Sequence, residues 1–152
     1  MAHRQTGLDR PALPPSRPAP AEGRYHRPGD PWPLYASLEP ATVWAEWSAA
    51  TRGAIDPASE RRRLWQIVVH DLPVLDLRDP SVVTALGIVL DDLTGRRAAA
   101  QDLAARAGAL GAEGMIVPSA ARHGHWNLVV FPAGFRRVAS GRSRATHPRP
   151  PG

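Results

Sequence analysis

Gly23-Arg24-Tyr25-His26-Arg27-Pro28-Gly29, then Leu34-Tyr35-Ala36-Ser37, then the run from Pro40 to Trp47 form the stretch around which the rest of the chain is organised. Pro28-Gly29 is strong turn chemistry, while Tyr25 and Leu34-Tyr35 favour strands, so 23–36 reads as two short strands around that turn. Ser37 reads as the N-cap, and Pro40 as a first-turn residue, of a helix that ends near Ala50. On that helix Glu46 has Thr42, Val43, Ala49 and Ala50 as its neighbours three and four residues away. None is basic, so no local ion pair accounts for the carboxylate, which must reach water, a distant cation or a substrate. A partly exposed surface glutamate is the plainer alternative, since Glu is almost never fully buried unless paired.

Downstream, a polar loop runs through Glu60, and Leu64–His70 is the clearest strand, β-branched and aromatic. Val74–Leu77 reads as another short strand. Ser81–Leu86 reads as one or two helical turns, with Pro80 at a first helical position. Gly95–Leu110 reads as the longest helix, with Ala100, Leu103, Ala104 and Ala107 on one face and Gly108 and Gly111 as stop signals. Met115–Val117 and Asn127–Phe131 complete the strands. Upstream, residues 1–22 are Pro-rich and suggest an extended connector, although His3-Arg4-Gln5-Thr6 can be read as the end of a first strand. Residues 136–152 are rich in Arg, Ser and Pro and read as a disordered tail. The sum is one α/β or α+β domain over 23–135, strand-heavy at its core, with two polar ends.

Composition narrows the chemistry. A chain of 152 residues favours one domain with a single core. It has no cysteine, which excludes disulfides, thiolate nucleophiles and Cys-ligated zinc. No run resembles a signal peptide or a membrane span, so the expected location is the cytoplasm, with no membrane partner. All 19 basic residues are Arg, which excludes a Lys Schiff base and the Lys-dependent phosphate loop. Arg136, Arg137, Arg142, Arg144 and Arg149 follow Phe135, where no acid occurs, so the body before them balances its arginines against all 14 acids. The basic pI belongs to the tail, and a neutral body lacks the basic face of a nucleic-acid module.

Several sites drop out on spacing. Gly108, Gly111 and Gly114 have the wrong spacing for a dinucleotide fingerprint and precede a strand. Ser119, between Pro118 and Ala120, is not on a hydrolase elbow. His123 and His125 would share one face of a strand, but with no third ligand nearby they read as loop histidines, and no metal is expected. Asp91-Asp92, before Leu93-Thr94, reads as capping the helix that follows and not as a cation site. What remains is one carboxylate with arginines, tyrosines and a serine. That set suits cleavage of the nicotinamide–ribose bond of NAD, whose leaving group begins as a cation and needs no protonation. One carboxylate can then hold the ribose and stabilise an oxocarbenium-like transition state, where ordinary glycoside hydrolysis uses two. Arginine forks grip pyrophosphate, and a tyrosine can wall the nicotinamide pocket.

The order Gly-Arg-Tyr-His (23–26), Leu-Tyr-Ala-Ser (34–37), Ala-Glu (45–46), Val-Leu-Asp-Leu (74–77), Gln-Asp-Leu-Ala (101–104), Gly-Met-Ile-Val-Pro-Ser-Ala (114–120) and Asn-Leu-Val-Val-Phe (127–131) resembles the RES-domain family. The family supplies the toxins of RES–Xre toxin–antitoxin modules, and the resemblance covers about residues 3 to 132. It implies a single α+β domain, ADP-ribosyltransferase-like, with mixed sheets and short helices. It also implies a toxin that consumes NAD by hydrolysis, phosphorolysis or ADP-ribosyl transfer to a protein, with NAD as substrate and no other cofactor. An Xre-type helix-turn-helix antitoxin is the implied partner. Matched by position, the catalytic residues are Arg24, Glu46 and Ser119, with Tyr35 as the active-site tyrosine and Arg4 as a further arginine. In NAD binding, Arg4 and Arg24 would take phosphates, Tyr35 the nicotinamide wall, and Ser119 and Asn127 positioning hydrogen bonds. The chain is short for the family and Arg4 lies almost at its start, so the alternative is a catalytically weak relative that binds an Xre-type antitoxin.

Overall fold

The computed structural model describes residues 13–14, 17–51 and 62–146. Strands β1 (Leu34–Ser37), β3 (Val74–Asp76), β4 (Gly114–Pro118) and β5 (Trp126–Val130) form a four-stranded sheet in the order β1-β5-β4-β3. β1 and β4 both run antiparallel to β5, whereas β3 and β4 are parallel. A parallel pair needs a crossover. Here α2 (Pro80–Leu86), α3 (Leu90–Gly95) and α4 (Arg97–Ala109) supply it. Strands β2 (Arg62–Val69) and β6 (Val138–Thr146) pair separately as an antiparallel ribbon, with a register shift between Trp65 and Ile67.

The apolar runs of β4 and β5 are continuous because both faces of the sheet are covered. Met115, Val117 and Val129 are fully buried on one face, against Leu77, Leu93, Leu103 and the alanines 100, 104 and 107 of α4. Ile116, Leu128 and Val130 face the other way, under Leu34, Val69, Leu72, Phe135 and Val138. Each such aliphatic side chain contributes roughly 1.5–3 kcal/mol on burial. Gly114 admits no side chain, because a Cβ there would stand 2.7 Å from the Val129 carbonyl oxygen. The expected α+β domain of mixed sheets and short helices is therefore present.

Three local expectations are corrected. Residues 23–26 form no strand. They make a tight turn closed by the Gly23 N–H on the His26 carbonyl at 3.0 Å. Ser37 is the last residue of β1 and does not cap α1 (Pro40–Thr51), whose first amides, those of Thr42 and Val43, donate to the Glu39 carbonyl. The helix expected over Gly95–Leu110 is present as α4, starting at Arg97 after an extended Arg96 (φ −123°, ψ 113°) that separates it from α3. The basic tail is ordered through residue 146. A short 3-10 helix (Pro132–Arg137) leads into β6, whose backbone pairs with β2 from Val138↔Val69 to Thr146↔Arg62. Ladder pairing satisfies the backbone whatever the side chains are, which a composition reading cannot register. Residues 147–152 lie outside the described residues, as do Arg4 and the strand expected at 3–6.

Candidate active site

Glu46 sits in the middle of α1, half-buried, above the end of the sheet where β1, β4 and β5 meet. The register of that sheet assembles its partners. Ser37 lies opposite Asn127, Asn127 lies opposite Val117, and Ser119 follows directly after β4. Glu46 Oε1 accepts hydrogen bonds from Ser119 Oγ at 2.7 Å and Asn127 Nδ2 at 2.6 Å. A carboxylate only accepts, so Asn127 must present its NH₂ to Glu46 and its oxygen to Ser37. Ser37 Oγ donates to that oxygen at 2.7 Å, which holds the amide in place. Ser119 is buried and its Oγ also accepts from the Arg122 N–H at 3.0 Å. Among the described residues, Glu46 Oε2 accepts no hydrogen bond. One oxygen is held, and the other takes no bond among the described residues.

Arg24 approaches from the turn before β1. Its Nη1 donates to the carbonyls of Leu93 (3.2 Å) and Thr94 (2.9 Å). These are last-turn carbonyls of α3, which lack an intrahelical partner and carry the negative end of the helix. Nε and Nη2 donate to no other described group, so part of the guanidinium fork is unspent. Two neighbours fix the turn that carries it. Gln101 of α4 points Nε2 at the Gly23 carbonyl (3.0 Å), the His26 carbonyl (3.2 Å) and Glu22 Oε2 (3.0 Å). Tyr35 Oη, from β1, accepts the Tyr25 N–H at 3.1 Å.

The tyrosines connect the two halves. The Tyr25 hydroxyl is buried with no hydrogen-bond partner among the described residues. Burial pushes its pKa up; Arg24 pulls it down, and the Tyr35 and Glu46 charges raise it further. Arg24 and Glu46 thus lie within electrostatic reach of one phenol. Tyr35 is 42% exposed as a residue, but its hydroxyl is turned inward. Burial pushes that hydroxyl up to about 12, against the opposing effects of the Tyr25 amide, Arg97 and Arg24. Beside this cluster a cleft of about 180 Å³ opens between Leu90, Asp91 and Thr94 of α3 and the loop carrying Ser119, His123 and His125. Asp91 and Asp92 stand in the first turn of α3. Among the described residues no group of three side chains suited to a metal occurs.

The structure therefore brings Glu46, Ser119 and Asn127 into direct contact, with Arg24 and Tyr35 on the neighbouring turn and strand. The sequence reading gives His26 and Gln101 no role and Ser37 only that of a helix cap, though all three stand inside matched blocks. They share no local signal, since His26 is followed by Arg27 and Gln101 by Asp102, and each shows its value only once partners from distant elements are known.

An α+β domain with a carboxylate held between β-strand ends and a partly free arginine defines the class, and the RES domain model matches residues 2–149. The chain belongs to the RES domain family. It is 33% identical over 134 residues to the protein named Probable NAD(+) phosphorylase Rv3189 of Mycobacterium tuberculosis (strain ATCC 25618 / H37Rv), over 88% of this chain and 65% of that protein. It thus spans just under two thirds of that relative's length. A solved structure, that of the M. tuberculosis MbcT–MbcA toxin–antitoxin complex, contains a chain 27% identical, with a TM-score of 0.67 over 83% of this chain and 72% of that chain.

Proposed function

We propose that this protein is the NAD-consuming toxin of a toxin–antitoxin module, with phosphate as the acceptor. The observation that carries the reading is Glu46, whose Oε1 is fixed by Ser119 and Asn127 while Oε2 takes no bond among the described residues. In this reading Oε2 accepts from a hydroxyl of the nicotinamide ribose. The C–N bond breaks with its electron pair going to the pyridine nitrogen, so nicotinamide leaves neutral. The positive charge left on the ribose carbon and ring oxygen faces the carboxylate until an acceptor oxygen forms the new bond. A negative charge held rigidly where positive charge develops lowers the barrier more than one that must reorganise. Arg24 uses the rest of its fork on the pyrophosphate. The exposed face of Tyr35 stacks on nicotinamide.

Support for phosphate comes from the name of the 33%-identical relative, and support for an antitoxin from the complex in which the structural neighbour was solved. An Xre-type helix-turn-helix protein is the partner this reading expects, with cytoplasmic action on NAD. Purified protein incubated with NAD should release nicotinamide, and faster with added phosphate, which then appears on the ribose. Release at an equal rate with and without phosphate makes water or a protein the acceptor. No release at all, together with tight binding of a helix-turn-helix partner, leaves a binding module.

A further inference from the structure

Tyr35 stands on an edge strand and is partly exposed, yet its hydroxyl is tethered inward, so the side chain cannot swing away. The cause is His26, which is buried at 6% exposure. Its Nε2 lies 3.1 Å from the Ala21 carbonyl, and its Nδ1 lies 2.7 Å from Tyr35 Oη. A carbonyl only accepts, so the proton of the neutral imidazole sits on Nε2. Nδ1 is then an acceptor, and the Tyr35 hydroxyl donates to it while accepting the Tyr25 N–H. Both capacities of that hydroxyl are used. The two rings are tilted at 46° with centroids 5.7 Å apart. Gly23 closes over the pair, since a Cβ there would collide with the His26 ring and stand 2.9 Å from the Tyr35 oxygen.

We propose that His26 is the positioning residue for Tyr35: by taking the hydroxyl hydrogen at Nδ1 it holds the exposed ring face as a fixed wall for the nicotinamide ring. The proposal rests on the NAD reading above. It also makes the wall sensitive to acid. A proton added at Nδ1 turns the acceptor into a donor, so the Tyr35 oxygen faces two donors and its own hydrogen loses its partner. The charged groups around the pair are Arg24 and Arg97, which act on the Tyr35 hydroxyl, and Glu22, which shares Gln101 with the His26 carbonyl. Arg27, next in the chain, is turned to Asp102 of α4. Burial keeps the Tyr35 hydroxyl protonated well beyond neutral pH, so its proton is present to be donated.

Two measurements on the full chain test this separately. The first is ¹⁵N NMR of the imidazoles, with the His26 signals identified by their absence in His26→Gln. They should show a neutral ring protonated at Nε2, and a ring protonated at Nδ1 overturns the proposal whatever NAD does. The second is the KM for NAD between about pH 5 and 8, the range in which histidines change charge. Wild type should lose about tenfold in KM toward the acid end with a smaller change in kcat. His26→Gln, which offers a carbonyl acceptor and cannot be protonated, should give a KM that no longer follows pH. Coincident pH profiles for wild type and His26→Gln overturn the positioning role. If wild type releases no nicotinamide at all, the NAD reading fails and the wall with it, while the ring-nitrogen signals still judge the His26–Tyr35 bond.

Discussion

Glu46 and Arg24 face the same region of the molecule but are held there by different means. The partners of Glu46 come from regular structure: Ser37, Asn127 and Ser119 are placed by the register of β1, β5 and β4. Arg24 sits on an irregular turn fixed by side chains from far along the chain, Gln101 of α4 and Tyr35 of β1, and by carbonyls of α3. A register moves every side chain of a strand together, so the Glu46 half is rigid and resists single changes. The Arg24 half depends on a few individual hydrogen bonds, each of which can be removed alone.

The comparison predicts that changes on the Glu46 side act on kcat and changes on the turn side act on KM. The largest effect should follow Glu46→Gln. The amide oxygen can still accept from Ser119 and Asn127, so the fold stays while the charge is lost, and nicotinamide release should fall by roughly 10³-fold. A variant within tenfold of wild type would remove Glu46 from the reaction. Next in size is Arg24→Lys. A single ammonium can satisfy the α3 carbonyls but has no fork to spare, so KM for NAD should rise about tenfold with kcat nearly constant. An equal fall in kcat would erase the division between the halves.

Smaller effects sharpen it. Gln101→Ala leaves the part-buried Gly23 carbonyl without its side-chain donor and the His26 carbonyl with the Gly23 N–H alone, at about 1–3 kcal/mol. Thermal unfolding should come several degrees earlier, and KM for NAD should rise a few-fold through a loosened turn. Stability loss with unchanged KM would detach Gln101 from the site. The smallest effect belongs to Glu39 at the start of α1. The Arg122 guanidinium and then His125 hold its carboxyl below the usual range, at 2.8 Å and 3.2 Å. A carboxyl depressed in the folded state stabilises above its unfolded pKa, and that contribution fades as pH falls through the folded value. Glu39→Gln should therefore lower Tm slightly at pH 7 in low salt, and match wild type in strong acid or at high salt, because the pair is exposed.

Much of this was legible in the amino-acid order. The apolar runs at 115–117 and 127–131 and the spacing of Ala100, Leu103, Ala104 and Ala107 identify β4, β5 and α4, because burial on one face or both imposes a period. Glu46 was conspicuous for its lack of a basic helical neighbour. The turn at 23–26 was misread as a strand because propensity counts Tyr25 but cannot see that Gln101 and Tyr35 bond to that backbone. β6 was misread for a related reason: Arg, Ser and Gly say little about a ladder whose bonds are made by main chain.

The sequence by itself determined that this is a small α+β domain without Cys or Lys chemistry, built on a buried pair of strands and carrying a carboxylate with no local cation. Only the tertiary structure decided which oxygen of Glu46 is held, where the Arg24 fork is spent, and that His26 Nδ1 meets the Tyr35 hydroxyl. Periodic burial is a property of neighbours in sequence and leaves its mark there. A hydrogen bond between residues separated by 70 or more positions, such as Glu46 to Ser119, leaves no local pattern, because its geometry exists only after the strands have found their register.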